Sequence, residues 1–418
     1  MEQQDWGSPR FVSEQFHRWY QANAKTIPAP TEIRSREFAF LQFGSKTMFR
    51  HIGFPDETAF RRYLAENSPA HCYHSSSYYQ FPEADMAGKG WSGADLVFDI
   101  DADHFDLPCQ HEHDKWKCRN CGAEGTGKPP EICKCGKAAF EEESWLCEHC
   151  LKAAKHETQK LLDILIQDLG FNPTGDLVVN FSGNRGYHVH VRSKRIRNLD
   201  QSGRREVVDY ILGTGLKPEY LGFNLRAKGG NSTLADGGWR GRACRALYDY
   251  VASTETDEIK KLKLGRKITS LLVNQKDRSL AILEEGHPSL FLKAVGVSDE
   301  ERLMADLDKL MEIAVKEQAA DIDTVVTTDI HRLIRLPNTL HGKTGWQVQT
   351  ILLASLPDYD PLTSAIALRI GEAKVYVRHA PKIRIADKEY GPYTEETVTI
   401  PMAAAVFLLC KKGARIET

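Results

Sequence analysis

Seven of the ten cysteines in this 418-residue chain lie between Cys109 and Cys150. They come as close pairs: Cys118 and Cys121 in CRNCG, Cys133 and Cys135 in CKCG, Cys147 and Cys150 in CEHC. Cys109 stands just ahead of them with His111 and His113. Tetrahedral zinc takes four Cys or His ligands, typically paired across short turns. The chain opens on MEQQDWGSPR, which lacks the anatomy of a signal peptide, so clustered thiols favour metal over disulfides. With one histidine, taken as His111 with His113 as the alternative, eight ligands are at hand, enough for two structural zinc ions. Nested pairing groups Cys109, a histidine, Cys147 and Cys150 around an inner Cys118, Cys121, Cys133 and Cys135. Sequential pairing groups Cys109, a histidine, Cys118 and Cys121, then Cys133, Cys135, Cys147 and Cys150. The spacing leaves both open. Either way, residues 104–150 read as a zinc-binding insert, in which WKCRNC at 116–121 and WLCEHC at 145–150 echo one another.

The segments around the insert alternate between strand and helix patterns. Residues 36–54 read as a hairpin about Gly44. In ADLVFDID, Leu96, Phe98 and Ile100 point one way and Asp95, Val97, Asp99 and Asp101 the other. Beyond the insert, the apolar spacing from Leu151 to Leu169 predicts a helix stopped by Gly170. DLVVNFSGNRGYHVHVRS then reads as strand, turn, strand. Residues 199–317 are rich in charge and helix formers, and predict a mostly helical inserted subdomain. Strand character returns from Asp323, and IPMAAAVFLLCKKGA predicts a helix with Pro401 at its first turn and Gly413 after it. The expected fold class is α/β (α+β): a core from residues 1–198 and 318–418, with the zinc insert and the helical subdomain projecting from it.

Net charge is −2, so bulk charge does not announce a nucleic-acid partner; local patches must. RSKRIR at 192–197, Arg204 with Arg205, and Arg240, Arg242 and Arg245 are such patches, each equally readable as a solvated face. The longest apolar run, Pro401–Cys410, is well short of the ~18 residues a membrane span needs. A cytoplasmic protein is expected.

Three stretches carry chemistry. Asp99 and Asp101 project from one strand face, where their mutual repulsion suits a hard divalent cation such as Mg²⁺. SGNRG at 182–186 offers backbone N–H groups, the Ser182 hydroxyl and the Arg185 fork to phosphate oxygens, and His188 and His190 share the face of the next strand. RLIRLPNTLHGKTG gathers Arg332, Arg335, His341 and Lys343 on and beside a loop, a charge array suited to a triphosphate. Asp321, Asp323 and Asp329 lie just upstream as sources of a third carboxylate. His71 and His74 read as ordinary loop histidines.

Taken in order, REFAF…FRH, DLVFDIDADH, the zinc-ligand insert, FSGNRGYHVHV and DIDTVVTTDIHRLIRLPNTLHGKTGW resemble the catalytic small subunit of the archaeal and eukaryotic DNA primase family. The resemblance spans residues 36–346. It implies a primase catalytic core that starts chains on single-stranded DNA from nucleoside triphosphates by two-metal nucleotidyl transfer with Mg²⁺ or Mn²⁺. Asp99 and Asp101 match the metal-binding aspartates; Asp323 fits the third, with Asp329 the second choice. Ser182, Arg185 and His188 match the triphosphate-binding turn. Arg335, His341 and Lys343 match the remaining phosphate and nucleotide contacts, and Arg50 and Arg36 resemble basic residues near the incoming nucleotide. The resemblance also implies a large subunit as partner, no membrane, and a cytoplasmic, nucleoid-associated setting. One zinc site is the family's norm, and ligands for two depart from it. A repair-type primase-polymerase of the same superfamily, a non-catalytic zinc module that binds nucleic acid, and a metal-dependent phosphoesterase are the competing readings.

Overall fold

The computed structural model describes residues 6–223, 232–285, 293 and 300–417. These fall into two compact units. The first comprises residues 1–158, 172–204 and 322–418, and the second residues 159–171 and 205–321.

The first unit is built on two antiparallel four-stranded sheets. Its strands are β1 (Phe38–Leu41), β2 (Phe49–Ile52), β3 (His71–Ser75), β4 (Leu96–Asp101), β5 (Leu177–Phe181), β6 (Gly186–Val191), β7 (Leu333–Arg335) and β8 (Gln349–Ile351). One sheet runs β7-β3-β1-β2 and the other β8-β5-β6-β4. The architecture is mixed α/β, and the expected hairpin at 36–54 is the β1–β2 pair. Phe38 and Phe40 on β1 pack against Phe54 and Phe60, with ring centroids 4.9–6.3 Å apart. Truncating one such buried ring to alanine costs about 3–5 kcal/mol. On β4, Leu96, Phe98 and Ile100 are fully buried, as the alternation demands.

The glycines of the SGNRG turn are there for close approach. A Cβ on Gly186 would lie 2.0 Å from the Ile100 carbonyl oxygen, because β6 pairs closely with β4 at this point. A Cβ on Gly183, at φ +83°, would lie 2.7 Å from the Cβ of His341.

The insert forms a small sheet, with strand Lys115–Cys118 between Glu124–Thr126 and Phe140–Glu143. Trp145 fastens its base, meeting Phe407 of the C-terminal helix Met402–Cys410 edge-on at 5.5 Å. That helix is apolar nearly all round and is buried accordingly. Strand character does not return directly at Asp323. Its carboxylate accepts N–H bonds from Val325 and Val326 and caps a short helix, Thr324–Thr328, ahead of β7.

In the second unit the described elements are helical. Trp239, Leu247, Leu271, Leu272 and Leu307 form part of its core. The buried Arg242 is held there by Asp163 and Asp168 at 2.7 and 2.6 Å.

Candidate active site and metal centres

The register of β4 against β6 places His188 opposite Asp99 and Gly186 opposite Asp101. His188 Nε2 lies 3.5 Å from Asp99 Oδ1. The Asp323 N–H donates to the Asp99 carbonyl at 2.9 Å, and the Asp323 charge acts on the Asp99 carboxyl. Asp99 is pushed up to about 7, first by burial and then by the negative charges of Asp101 and Asp323. Arg332 and Arg335 pull the other way. The Asp329 carboxylate accepts the His331 N–H. A buried carboxylate that feels two further negative charges is suited to a hard divalent cation.

Facing them is an array of cations and neutral imidazoles. Burial, then the charges of Arg335 and Arg332, press His188 down to about 3, so it is a neutral ring at working pH. His341 is buried and likewise held neutral, and its Nδ1 accepts the Lys343 N–H at 3.2 Å. Arg335 lies over the Tyr73 ring at 4.4 Å and meets His71 Nδ1 at 2.6 Å. His71 is no ordinary loop residue. It sits on β3, packs edge-on against His341 at 4.9 Å, and is held down at about 2 by burial and by Arg335 and Lys343.

Two expected nucleotide contacts have a different geometry. The Arg185 guanidinium is buried beneath the turn instead of pointing outward; it pairs with Asp103, lies 3.8 Å from Asp101 and 3.5 Å from Asp114, and donates to the Trp145 carbonyl. Arg36 is a structural anchor: it is fully buried, pairs with Asp95 at 2.7 Å and donates to the carbonyls of Ser75 and Ser76. Arg50 is partly exposed on β2 and tied to the buried Glu37 at 3.2 Å. The Ser182 hydroxyl accepts the N–H groups of Asn184 and Gly186 and shapes the turn from within. Arg204, Arg242 and Arg245 are all engaged with carbonyls or carboxylates of the fold, and form no free track for a nucleic-acid backbone.

The insert carries two four-ligand clusters in the nested pairing: Cys109, His113, Cys147 and Cys150, and Cys118, Cys121, Cys133 and Cys135. Zinc–sulfur bonds of about 2.3 Å in a tetrahedron put sulfurs about 3.8 Å apart, while a disulfide requires about 2.05 Å. The observed separations are 3.7 Å for Cys109–Cys150, 3.6 Å for Cys147–Cys150, 3.7 Å for Cys118–Cys135 and 3.6 Å for Cys121–Cys133. His113 Nε2 lies 3.5 Å from Cys150 Sγ. The histidine in the cluster is therefore His113. His111 is solvent-exposed and faces Asp106 at 3.7 Å, because the short helix Gln110–His113 turns the two imidazoles apart. Crowding also splits the thiol acidities: the contact with Cys150 draws Cys147 down to about 3, and Cys150 is pushed up by Cys147 and by burial. Both clusters are suited to a metal such as zinc.

A carboxylate trio opposite clustered cations, beside a thiol-rich insert on a mixed α/β core, is the equipment of a nucleotide-handling protein. The sequence model of the DNA primase small subunit matches residues 134–352. The DNA primase small subunit PriS of Cenarchaeum symbiosum is 33% identical over 404 residues, with 96% of each chain covered. That of Nitrosopumilus maritimus is 31% identical over 409 residues (97% of this chain, 98% of the relative). The Archaeoglobus fulgidus protein is 32% identical over 413 residues, with 98% of both covered. The chain belongs to the DNA primase small-subunit family.

Proposed function

We propose that this chain is the catalytic subunit of a DNA primase, joining nucleoside triphosphates into short primers on a single-stranded DNA template. The observation that carries the reading is the convergence of Asp99, Asp101 and Asp323, with Asp99 raised by burial and then by the other two. Asp99, Asp101 and Asp323 would hold two Mg²⁺ or Mn²⁺ ions, which would supply activation of a 3′-hydroxyl and charge neutralisation on the leaving pyrophosphate. Arg335 and Lys343 bind the triphosphate. The neutral rings of His188 and His341 offer N–H donors to its oxygens. Ser182 shapes the turn whose backbone N–H groups face the phosphates. Arg185 holds Asp101 and lends its charge from beneath, and Arg50 lies at the edge for the incoming nucleotide. His71 keeps Arg335 aimed.

Zinc in the two insert clusters is structural: each set of four protein ligands leaves no open position. A large subunit is the expected partner, in a cytoplasmic, nucleoid-associated setting. Among the described residues, no helix is long and apolar enough to cross a membrane.

Template dependence separates the readings. Short products from an unprimed template with Mg²⁺ or Mn²⁺ are expected of a primase. Extension of a supplied primer without initiation points to the repair-type polymerase. DNA binding with no incorporation points to a non-catalytic zinc module.

A further inference from the structure

The C-terminal helix Met402–Cys410 ends beside the SGNRG turn, and Lys411 follows it directly. Lys411 Nζ lies 3.4 Å from the Asn184 side-chain oxygen in that turn and 3.4 Å from the Ser144 carbonyl oxygen. Both partners are neutral. Among the described residues Lys411, Lys343 and Lys412 form no ion pair. Together they line a cavity of about 270 Å³ with Trp145, Arg378 and His379, and the glutamates Glu141–Glu143 share its rim. Lys343 belongs to both the cavity and the phosphate loop, so the cavity adjoins the anion site. Lys411 is pushed down to about 7 by burial, then by the neighbouring charges of Arg185 and Lys343. Cations crowded against one another with none of them in an ion pair are stabilised by an incoming anion, even with Asp114 and Asp101 acting on Lys411 and Lys343 from farther off.

The reaction supplies that anion. The 3′-oxygen bonds to the α-phosphorus and the bond from that phosphorus to the α,β-bridging oxygen breaks. Pyrophosphate leaves with the electron pair, and the hydroxyl proton passes to solvent. We propose that Lys411, with Lys343 and Lys412, forms a polyphosphate subsite that takes the β,γ end of the bound nucleoside triphosphate and then the released pyrophosphate. The proposal rests on the nucleotidyl-transfer reading above. A cation just past a helix C-terminus also satisfies the helix dipole, so the test must separate that role from anion binding.

The experiment compares the full-length parent, Lys411→Met and Lys411→Arg in nucleotide incorporation, with inorganic pyrophosphate as product inhibitor. In Lys411→Met, KM for the nucleotide and the inhibition constant for pyrophosphate are expected to rise about tenfold, the loss of one charge-assisted hydrogen bond. Tm and single-stranded DNA affinity should stay at parent values, and Lys411→Arg should recover both constants to within about twofold. Tripolyphosphate should raise the Tm of the parent and not that of Lys411→Met, a readout independent of turnover. Unchanged constants and an unchanged tripolyphosphate shift in Lys411→Met would overturn the subsite. So would a lowered Tm that Lys411→Arg restores without restoring the constants. Asp99→Asn is the control: if it is inert while Lys411→Met behaves as the parent, only the subsite fails. If Asp99→Asn still incorporates nucleotide, the nucleotidyl-transfer reading itself fails.

Discussion

Asp114 links the outer cysteine cluster to the SGNRG turn: one carboxylate oxygen lies 2.8 Å from His113 Nδ1, and the other lies 3.5 Å from Arg185 Nη1. The first contact leaves His113 Nε2 for the thiol cluster, as carboxylates that hydrogen-bond the far nitrogen of metal-bound imidazoles do. The second holds the guanidinium beneath the turn. Asp114→Ala should therefore weaken zinc retention about 10–100-fold and also raise KM for the nucleotide. Competition with a chromogenic chelator, alongside initial rates at saturating zinc, checks both. A variant that loses zinc affinity with an unchanged KM would show that the two sites are independent.

Metal content discriminates between the two histidines. The parent and His111→Ala should each carry two zinc ions per chain by elemental analysis, and His113→Ala only one. The remaining ion in His113→Ala sits in the Cys118, Cys121, Cys133 and Cys135 cluster, so Cys121→Ser in that background should remove it. Loss of zinc from His111→Ala would contradict the nested arrangement.

Asp99 gives the metal-free chain an inverted pH dependence. Its folded-state value is raised to about 7, so between the ordinary aspartate range and pH 7 the folded chain holds the proton more tightly than the unfolded chain. This contribution lowers stability as pH rises through that window, and the full penalty is present above it. A divalent cation relieves the penalty. The Tm rise produced by Mn²⁺ should thus be larger at pH 8 than at pH 6, and Asp99→Asn should flatten the metal-free profile. Equal Mn²⁺ shifts at both pH values would refute the repulsion.

Gly186→Ala tests the close pairing of β4 and β6. The added Cβ meets backbone at 2.0 Å, so the strands must separate, at a cost of about 1–3 kcal/mol. Because Gly186 is opposite Asp101, incorporation should fall by more than the loss of folded chain accounts for. Chemical denaturation and specific activity measured together decide it.

The sequence made the local features plain. Period-two alternation put Asp99 and Asp101 on one face of a strand, and Gly-rich spacing marked the turn before His188. The thiol pairs announced metal ligands and left their grouping open. What escaped depends on contacts between distant segments. His113 and His111 are two residues apart, and only the short helix and the position of Cys150 separate a ligand from a solvent-exposed ring. Arg185 and Arg36 look alike as basic residues beside glycine or strand, yet the carboxylates that bury them come from residues 103, 114 and 95. Thr324–Thr328 has strand-forming composition, and the Asp323 cap overrides it. His71 joins the site only because β3 pairs with β7, which carries Arg335.

The most direct test is incorporation of labelled nucleotide on unprimed single-stranded DNA by the parent, Asp99→Asn and Asp101→Asn, each with Mn²⁺ and each shown to be folded by its Tm. The account predicts short products from the parent and at least a hundredfold loss in both variants, the scale of removing a principal electrostatic contribution to catalysis. Parent-like synthesis by either variant would contradict it.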